Sequence, residues 1–150
     1  MIKLLNSEDV EKNRETLKKL LIVCREHGSG VILPDSYYED KLNGLINYLK
    51  ENKAYFFIVQ DNDAIAGFLW ACEIKRDIGN VFHLLHFAVF EEYQRKGYGK
   101  MLMEAAQLQA QNLNLTYMEL NVSASNQKAI DFYEKNAFCA DHITMIKKLN

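Results

Sequence analysis

A chain of 150 residues is one domain's worth, and one of this size buries about 70% of its unfolded surface, so its core needs neither disulfide nor metal. Hydrophobic residues make up 49% and charged residues 25%, which excludes a disordered tail, a collagen-like repeat and a coiled coil. Lys plus Arg number 18 against 20 Asp plus Glu, a net charge of −2, so no global basic field exists to hold a nucleic-acid backbone.

Cys24, Cys72 and Cys139 are an odd, widely spaced set with no CxxC or Cys/His cluster, which argues against a zinc centre. Unpaired thiols fit a reducing compartment, and the start MIKLLNSEDVEKNRE does not read as a secretory signal. No apolar run is long enough to span a membrane, so the cytoplasm is the expected location.

Residues 7–27 read as a helix, with Ser7 as N-cap and Val10, Leu17, Leu20, Leu21 and Cys24 as its apolar stripe; Gly28 and Gly30 are expected to stop it. A loop around Pro34 leads into a second helix from about Tyr37 to Glu51. AYFFIVQ (54–60) reads as a strand, Asp61-Asn62-Asp63 as a turn and AIAGFLWACEI (64–74) as the returning strand. A third strand is expected over 81–90, a helix over 98–111 and a strand over Thr116–Val122. A helix over 126–135 and a last strand over 143–149 complete the chain. Strand–helix–strand–helix–strand in the second half requires a parallel crossover, so the fold class is α/β with a mixed sheet.

The sharpest local motif is QRKGYGK, residues 94–100, between an apolar strand and an amphipathic helix. Gly97 and Gly99 strip side chains from the turn into the helix. The unpaired amides and the positive end of the helix dipole then make an anion site, with Arg95, Lys96 and Lys100 adding charge. The bland alternative is a glycine turn with a solvated basic rim. A Walker A loop is excluded, because Gln94 and Met101 stand where Gly and Ser or Thr are needed. A dinucleotide fingerprint fails at Leu102. The second motif lies in NVSASNQKAIDFYEKNAF, residues 121–138, where Asn126 and Tyr133 fall nearly in line on one helix face. A phenol there can donate a proton to a leaving group; alternatively Tyr133 is core and Asn126 only a cap.

Taken together, these motifs resemble the GNAT superfamily of acyl-CoA-dependent N-acetyltransferases. The strand ending Phe87-Ala88-Val89, four further residues and then Gln94 to Gly99 match that family's Q/R-x-x-G-x-G/A pattern. Asn126, Ala129 and Tyr133 match its N-x-x-A-x-x-x-Y pattern, and Ala137 stands where the family usually has Gly. The stretch after Phe138 is short, so the family's last strand pair is expected to be abbreviated.

The resemblance implies a central mixed β-sheet flanked by helices, in one domain over 1–150, with acetyl-CoA as co-substrate and no metal. It implies pyrophosphate on the amides of Gln94, Arg95, Lys96, Gly97, Tyr98, Gly99 and Lys100. Pantetheine would lie along Phe87, Ala88 and Val89, where the strand splays from its neighbour, and would bond to Asn126. Tyr133 would protonate the departing thiolate. The general base is expected at His83, with His86, Glu73 or water as alternatives. Cys72 and Cys139 read as apolar fillers rather than nucleophiles. The acceptor would be a primary amine, of a small molecule or a peptide, in a pocket built by the two N-terminal helices and the loop around Leu33–Tyr38. Tyr37, Tyr38, Glu39 and Asp40 would suit a cationic amine, but they read rather as a solvated helix start. No nucleic-acid or membrane partner is expected, and a homodimer is compatible. The rival readings are a catalytically silent acyl-CoA-binding module and an unrelated nucleotide-phosphate binder.

Overall fold

The computed structural model describes residues 1–150, the side chains of residues 27–29 excepted. It contains β1 (Ile2–Leu5), α1 (Ser7–Lys12), α2 (Arg14–Ser29) and α3 (Asp35–Lys50). The hairpin strands β2 (Tyr55–Asp61), β3 (Ala64–Arg76) and β4 (Gly79–Val89) follow. A 3-10 turn (Glu91–Tyr93), α4 (Tyr98–Asn112), β5 (Met118–Leu120) and α5 (Gln127–Lys135) complete the order. The strands form one sheet in sequence order, antiparallel from β1 to β4 and parallel between β4 and β5. This is the mixed sheet that the strand and helix pattern requires.

Both faces of the sheet are covered, which is why β2 reads as a continuous apolar run instead of an alternation. Phe56 and Ile58 face the layer of α1, α2 and α3, while Phe57 and Val59 face the layer containing α4. All four are buried, and each contributes about 2 kcal/mol of hydrophobic stabilisation.

The first expected helix is two helices. Asn6, not Ser7, is the N-cap, and it forms a reciprocal capping box with Asp9. The helix breaks at Asn13, whose side-chain Nδ2 donates to the Asp9 carbonyl at 2.8 Å and so competes with the backbone ladder. Gly30, at φ +66°, ends α2; Gly28, the other expected stop, falls among residues 27–29, outside the described side chains. β1 is an addition to the expected elements, because four residues carry too little pattern to announce a strand.

The largest correction concerns the C-terminus. No strand forms over 143–149, and Ile143, Met145, Ile146 and Leu149 are 79–94% exposed. A seven-residue strand needs an edge of matching length. The edge strand β5 has only three residues, not the seven expected over 116–122, and Tyr117 and Val122 on either side of it are exposed. Cys139 is likewise exposed and fills no apolar space.

Candidate active site

A bulge in β4 sets the geometry of the site. Trp70 pairs with His86 but Ala71 pairs with Leu84, so Leu85 is an extra residue. The extra residue rotates the strand. Leu84 and Phe87 therefore both pack on the α4 side, whereas Ala88 joins the α2–α3 core and the His86 ring lies 5.3 Å from that of Trp70. Without the bulge, His86 would share Leu84's face.

β4 and β5 pair only from Phe82↔Met118 to Leu84↔Leu120. Beyond Leu84 the flank of β4 is open. There the carbonyls of Phe87 and Val89 accept side-chain groups instead, the Cys24 thiol at 3.5 Å and Gln94 Nε2 at 3.0 Å. Gln94 in turn accepts from Lys128 Nζ at 2.8 Å, which ties the turn to α5. The opened strand expected at Phe87, Ala88 and Val89 is thus present.

At the end of this gap, Gly97 adopts φ +84° as the N-cap of α4 and makes no side-chain cap bond. The first-turn amides of α4 have no capping side chain, and such uncapped amides at a helix N-terminus suit an anion. A Cβ on Gly97 would meet nothing within 4 Å, so the space above the turn is clear. Gly99 is needed for a different reason. A Cβ there would stand 3.2 Å from the Phe132 and Phe87 rings, so glycine lets α4 close on α5 and β4. The basic rim is partly tied down. Lys96 Nζ lies 3.3 Å from Asp61 Oδ2, and Lys100 lies 3.7 Å from Glu104. Tyr98 also bonds to Asp61, while Arg95 sits exposed at φ +62°. An anion cradle, an open strand edge and a glycine-cleared approach fit the diphosphate and amide arm of acetyl-CoA.

Asn126 caps α5, its Oδ1 accepting from the Ala129 amide at 3.2 Å. One turn before the end of that helix, Tyr133 packs among Phe87, Phe132 and Phe138, at ring distances of 5.6 to 6.3 Å. Burial, with a smaller contribution from Cys24, pushes its phenol up to about 12, so the proton stays on oxygen at neutral pH.

The base candidates separate. His83 is buried, and its Nδ1 lies 2.8 Å from Glu119 Oε1. Glu119 is held below the usual carboxylate range, first by Arg76 and then by His83. An ionised carboxylate only accepts, so the His83 hydrogen sits on Nδ1 and its lone pair on Nε2. Glu73 accepts from Tyr55 at 2.9 Å, and Tyr55 packs with the α4-side core, away from α2 and α3.

His86 lines a cavity of about 160 Å³ with Leu21, Cys24, Arg25, Tyr37, Tyr38 and Lys41. An adjoining outer space of about 400 Å³ adds Asp40, Trp70 and Leu85. Residues 37–40 are therefore no solvated helix start. Tyr38 is buried, Tyr37 and Asp40 face the cavity, and Glu39 is bound by Lys18 (2.9 Å) and Arg14 (2.8 Å). Arg25, Lys41 and Trp70 line the cavity without any signal in the sequence that would have placed them there. Cys24 and Cys72 are half-buried thiols raised chiefly by burial, hence inert. Among the described residues no His/Cys/Asp/Glu group could hold a metal, and no helix is long and apolar enough to cross a membrane.

Residues 15–138 match the model of the acetyltransferase (GNAT) family. The chain belongs to this family. The GNAT relatives include an N-alpha-acetyltransferase of Sulfurisphaera tokodaii, 29% identical over 104 residues, and an uncharacterized N-acetyltransferase, YycN, of Bacillus subtilis, 31% identical over 85 residues. These matches cover 62% and 57% of this chain, and the chain spans 61% and 54% of the respective relatives. Among solved GNAT structures, an aminoglycoside acetyltransferase from an uncultured soil metagenomic sample, in complex with sisomicin, superposes with a TM-score of 0.77 at 19% identity. That match covers 100% of this chain and 96% of that one. A possible acetyltransferase from Clostridium difficile gives 0.79 at 19% identity, covering 100% and 98%.

His86 also makes a pH prediction. Burial, then the charges of Lys41 and Arg25, push its imidazole down to about 4. Lys41 Nζ lies 3.4 Å from its Nε2, Trp70 packs on its ring, and among the described residues the lining carboxylate is Asp40, in the adjoining outer space. The folded ring stays neutral where the unfolded one, near 6.5, would bind a proton. The stability this contributes is full above pH 6.5 and falls away as pH drops towards 4, on the order of 3 kcal/mol in all. Urea unfolding between pH 7 and 4 should show this loss, and His86→Gln should flatten it; an equal slope in both proteins refutes the assignment.

Proposed function

We propose that this protein transfers an acetyl group from acetyl-CoA directly to a primary amine, of a small metabolite or of a protein, in the cytoplasm. The observation that carries this reading is the alignment of an uncapped α4 N-terminus, with Gly97 at φ +84°, and a β4 edge opened beyond Leu84, with Tyr133 beside it. The relatives named as N-alpha-acetyltransferases and the aminoglycoside enzyme with the same fold both acetylate amines, by their names, and both acceptor classes fall within the proposal.

Amides from Arg95 to Lys100 would hold the pyrophosphate; the Gln94 amide, expected among them, is given to the Glu91 carbonyl at 3.1 Å, and Gln94 braces the turn through its side chain instead. The Phe87 and Val89 backbone receives the pantetheine amides, for which the long Cys24 thiol contact is readily given up. Asn126 flanks the arm. When bound there, acetyl-CoA supplies an acetyl thioester, an acyl group activated for attack by nitrogen. No covalent enzyme intermediate is needed, because holding both substrates together removes most of the entropic barrier. His83 Nε2 takes the proton of the ammonium, through water, with Glu119 fixing the ring's tautomer. Tyr133 Oη gives its proton to the leaving thiolate and is reprotonated from solvent.

A thiol-release assay with acetyl-CoA over a panel of amines and peptides tests the reading. Acceptor-dependent release of free CoA is expected. A melting temperature raised by acetyl-CoA without release of thiol under any acceptor would instead establish a silent binding module. A rise with ATP or NAD but not with acetyl-CoA would establish a nucleotide binder.

A further inference from the structure

The cavity under His86 is walled largely by apolar surface, and the charged side chains set in it, Arg25 and Lys41, are both donors. Lys41 from α3 and Arg25 from α2 reach it from two sides, and both bear electrostatically on His86. Arg25 Nη1 donates to the Tyr37 hydroxyl at 3.4 Å, so that hydroxyl's own hydrogen is directed elsewhere. Lys41 and Arg25 also lie against the Tyr37 ring, at 5.6 and 5.2 Å, which holds both cations near it. Trp70 is 5% exposed, and its indole Nε1–H is buried without a partner among the described residues. Against these donors stands one lining carboxylate, Asp40, in the outer space. The neighbouring Glu39 is consumed by Arg14 and Lys18.

The cavity also abuts the reacting end of the cofactor groove. Its Cys24 reaches the Phe87 carbonyl, and Phe87 touches Tyr133. A molecule seated between Lys41 and Arg25 would thus present its other end to the thioester.

Resting on the transferase reading, we infer that the acceptor is an amine that also carries a carboxylate, which Lys41 and Arg25 bind while the nitrogen points to the Phe87–Tyr133 end. A carboxylate offsets the excess of positive charge. A polycationic amine does not, and meets Lys41 and Arg25 as like charges.

The test uses matched pairs in the full-length protein: an amino acid against its amide, and a short peptide with an acidic second residue against its Gln or Asn counterpart. An aminoglycoside serves as the polycation. Thiol release should favour the carboxylate member of at least one pair by about tenfold or more in kcat/KM, and which pair responds tells a free amino acid from a peptide. Lys41→Met, which keeps the aliphatic stem, should erase that preference while leaving the KM for acetyl-CoA within about twofold. Preference for the amides or the aminoglycoside, or a preference surviving Lys41→Met, overturns the inference. A second readout separates this from failure of the transferase reading. N-acetyl amino acids and their amides, the corresponding products, are compared by thermal shift, which requires no catalysis. Stabilisation by the carboxylates alone, lost in Lys41→Met, upholds the site even if no thiol is ever released; equal response to both forms refutes it.

Discussion

Replacing Tyr133 by Phe should lower kcat for acetyl transfer by about 10²-fold, the usual contribution of a positioned general acid. The KM for acetyl-CoA should stay within about twofold. The two effects divide because the hydroxyl and the ring do different things. The ring packs against Phe87, Phe132 and Phe138, and phenylalanine keeps those contacts. The hydroxyl alone carries the proton, and with its pKa pushed up to about 12 it remains protonated through the whole working range. Two consequences follow for the wild-type protein. No loss of kcat from this group should appear below about pH 11, and any alkaline limb at lower pH belongs to another residue. Thermal unfolding should show the variant as stable as the parent, so a fall in rate cannot be ascribed to misfolding. An unchanged kcat would remove Tyr133 from the mechanism and leave solvent to protonate the thiolate, whose own basicity is modest.

The parts of this site that the sequence announces are those made by neighbouring residues. Gln94 to Lys100 is one continuous stretch, with Gly97 at the start of α4 and Gly99 in its first turn. Gly97 owes its place to a positive φ and Gly99 to ring contacts with Phe132 and Phe87, and only the first reason is visible without coordinates. Asn126 and Tyr133 lie on one helix and are likewise locally legible. The cavity is not. Arg25, Lys41, Trp70 and His86 belong to four different elements, and nothing in the spacing of α2 relative to β4 indicates that they meet. His86 further depends on the Leu85 bulge, a feature of pairing rather than of composition.

The elements that differ from expectation share that cause. An apolar stripe runs straight through Asn13, yet the side chain there bonds to the Asp9 carbonyl and splits the helix. The apolar content of 143–149 satisfies a strand pattern, but a strand exists only where an edge receives it, and β5 is too short to do so. Local propensity is right in kind there and loses to a non-local condition.

Gly67→Ala should be the most damaging methyl added at any of the described glycines. Gly67 lies on β3 opposite Val89 of β4. A Cβ there would sit 2.7 Å from the Ala88 carbonyl oxygen and 2.9 Å from Val89 Cγ2, with Val89 Cα at 3.1 Å. Two of these three atoms are backbone and cannot swing aside as a side-chain tip would, so relief requires β3 and β4 to separate. Overpacking of this kind costs about 1–3 kcal/mol, and backbone as the obstacle places Gly67→Ala at the upper end. For a chain of this length that corresponds to a melting temperature lower by about 6–10 °C. Gly44→Ala is the internal control. Gly44 lies within α3 with nothing within 4 Å of its added methyl, so the same change should there stabilise by up to about 1 kcal/mol. The strand that Gly67 would displace carries the Phe87–Val89 edge, so the KM for acetyl-CoA should rise in Gly67→Ala and stay level in Gly44→Ala. Differential scanning calorimetry together with acetyl-CoA titration distinguishes the two effects. If Gly67→Ala melts where the parent does, the close approach of β3 to Ala88 is not a constraint on this fold, and the open edge of β4 must be held in place by the α5 tether through Gln94 and Lys128 instead.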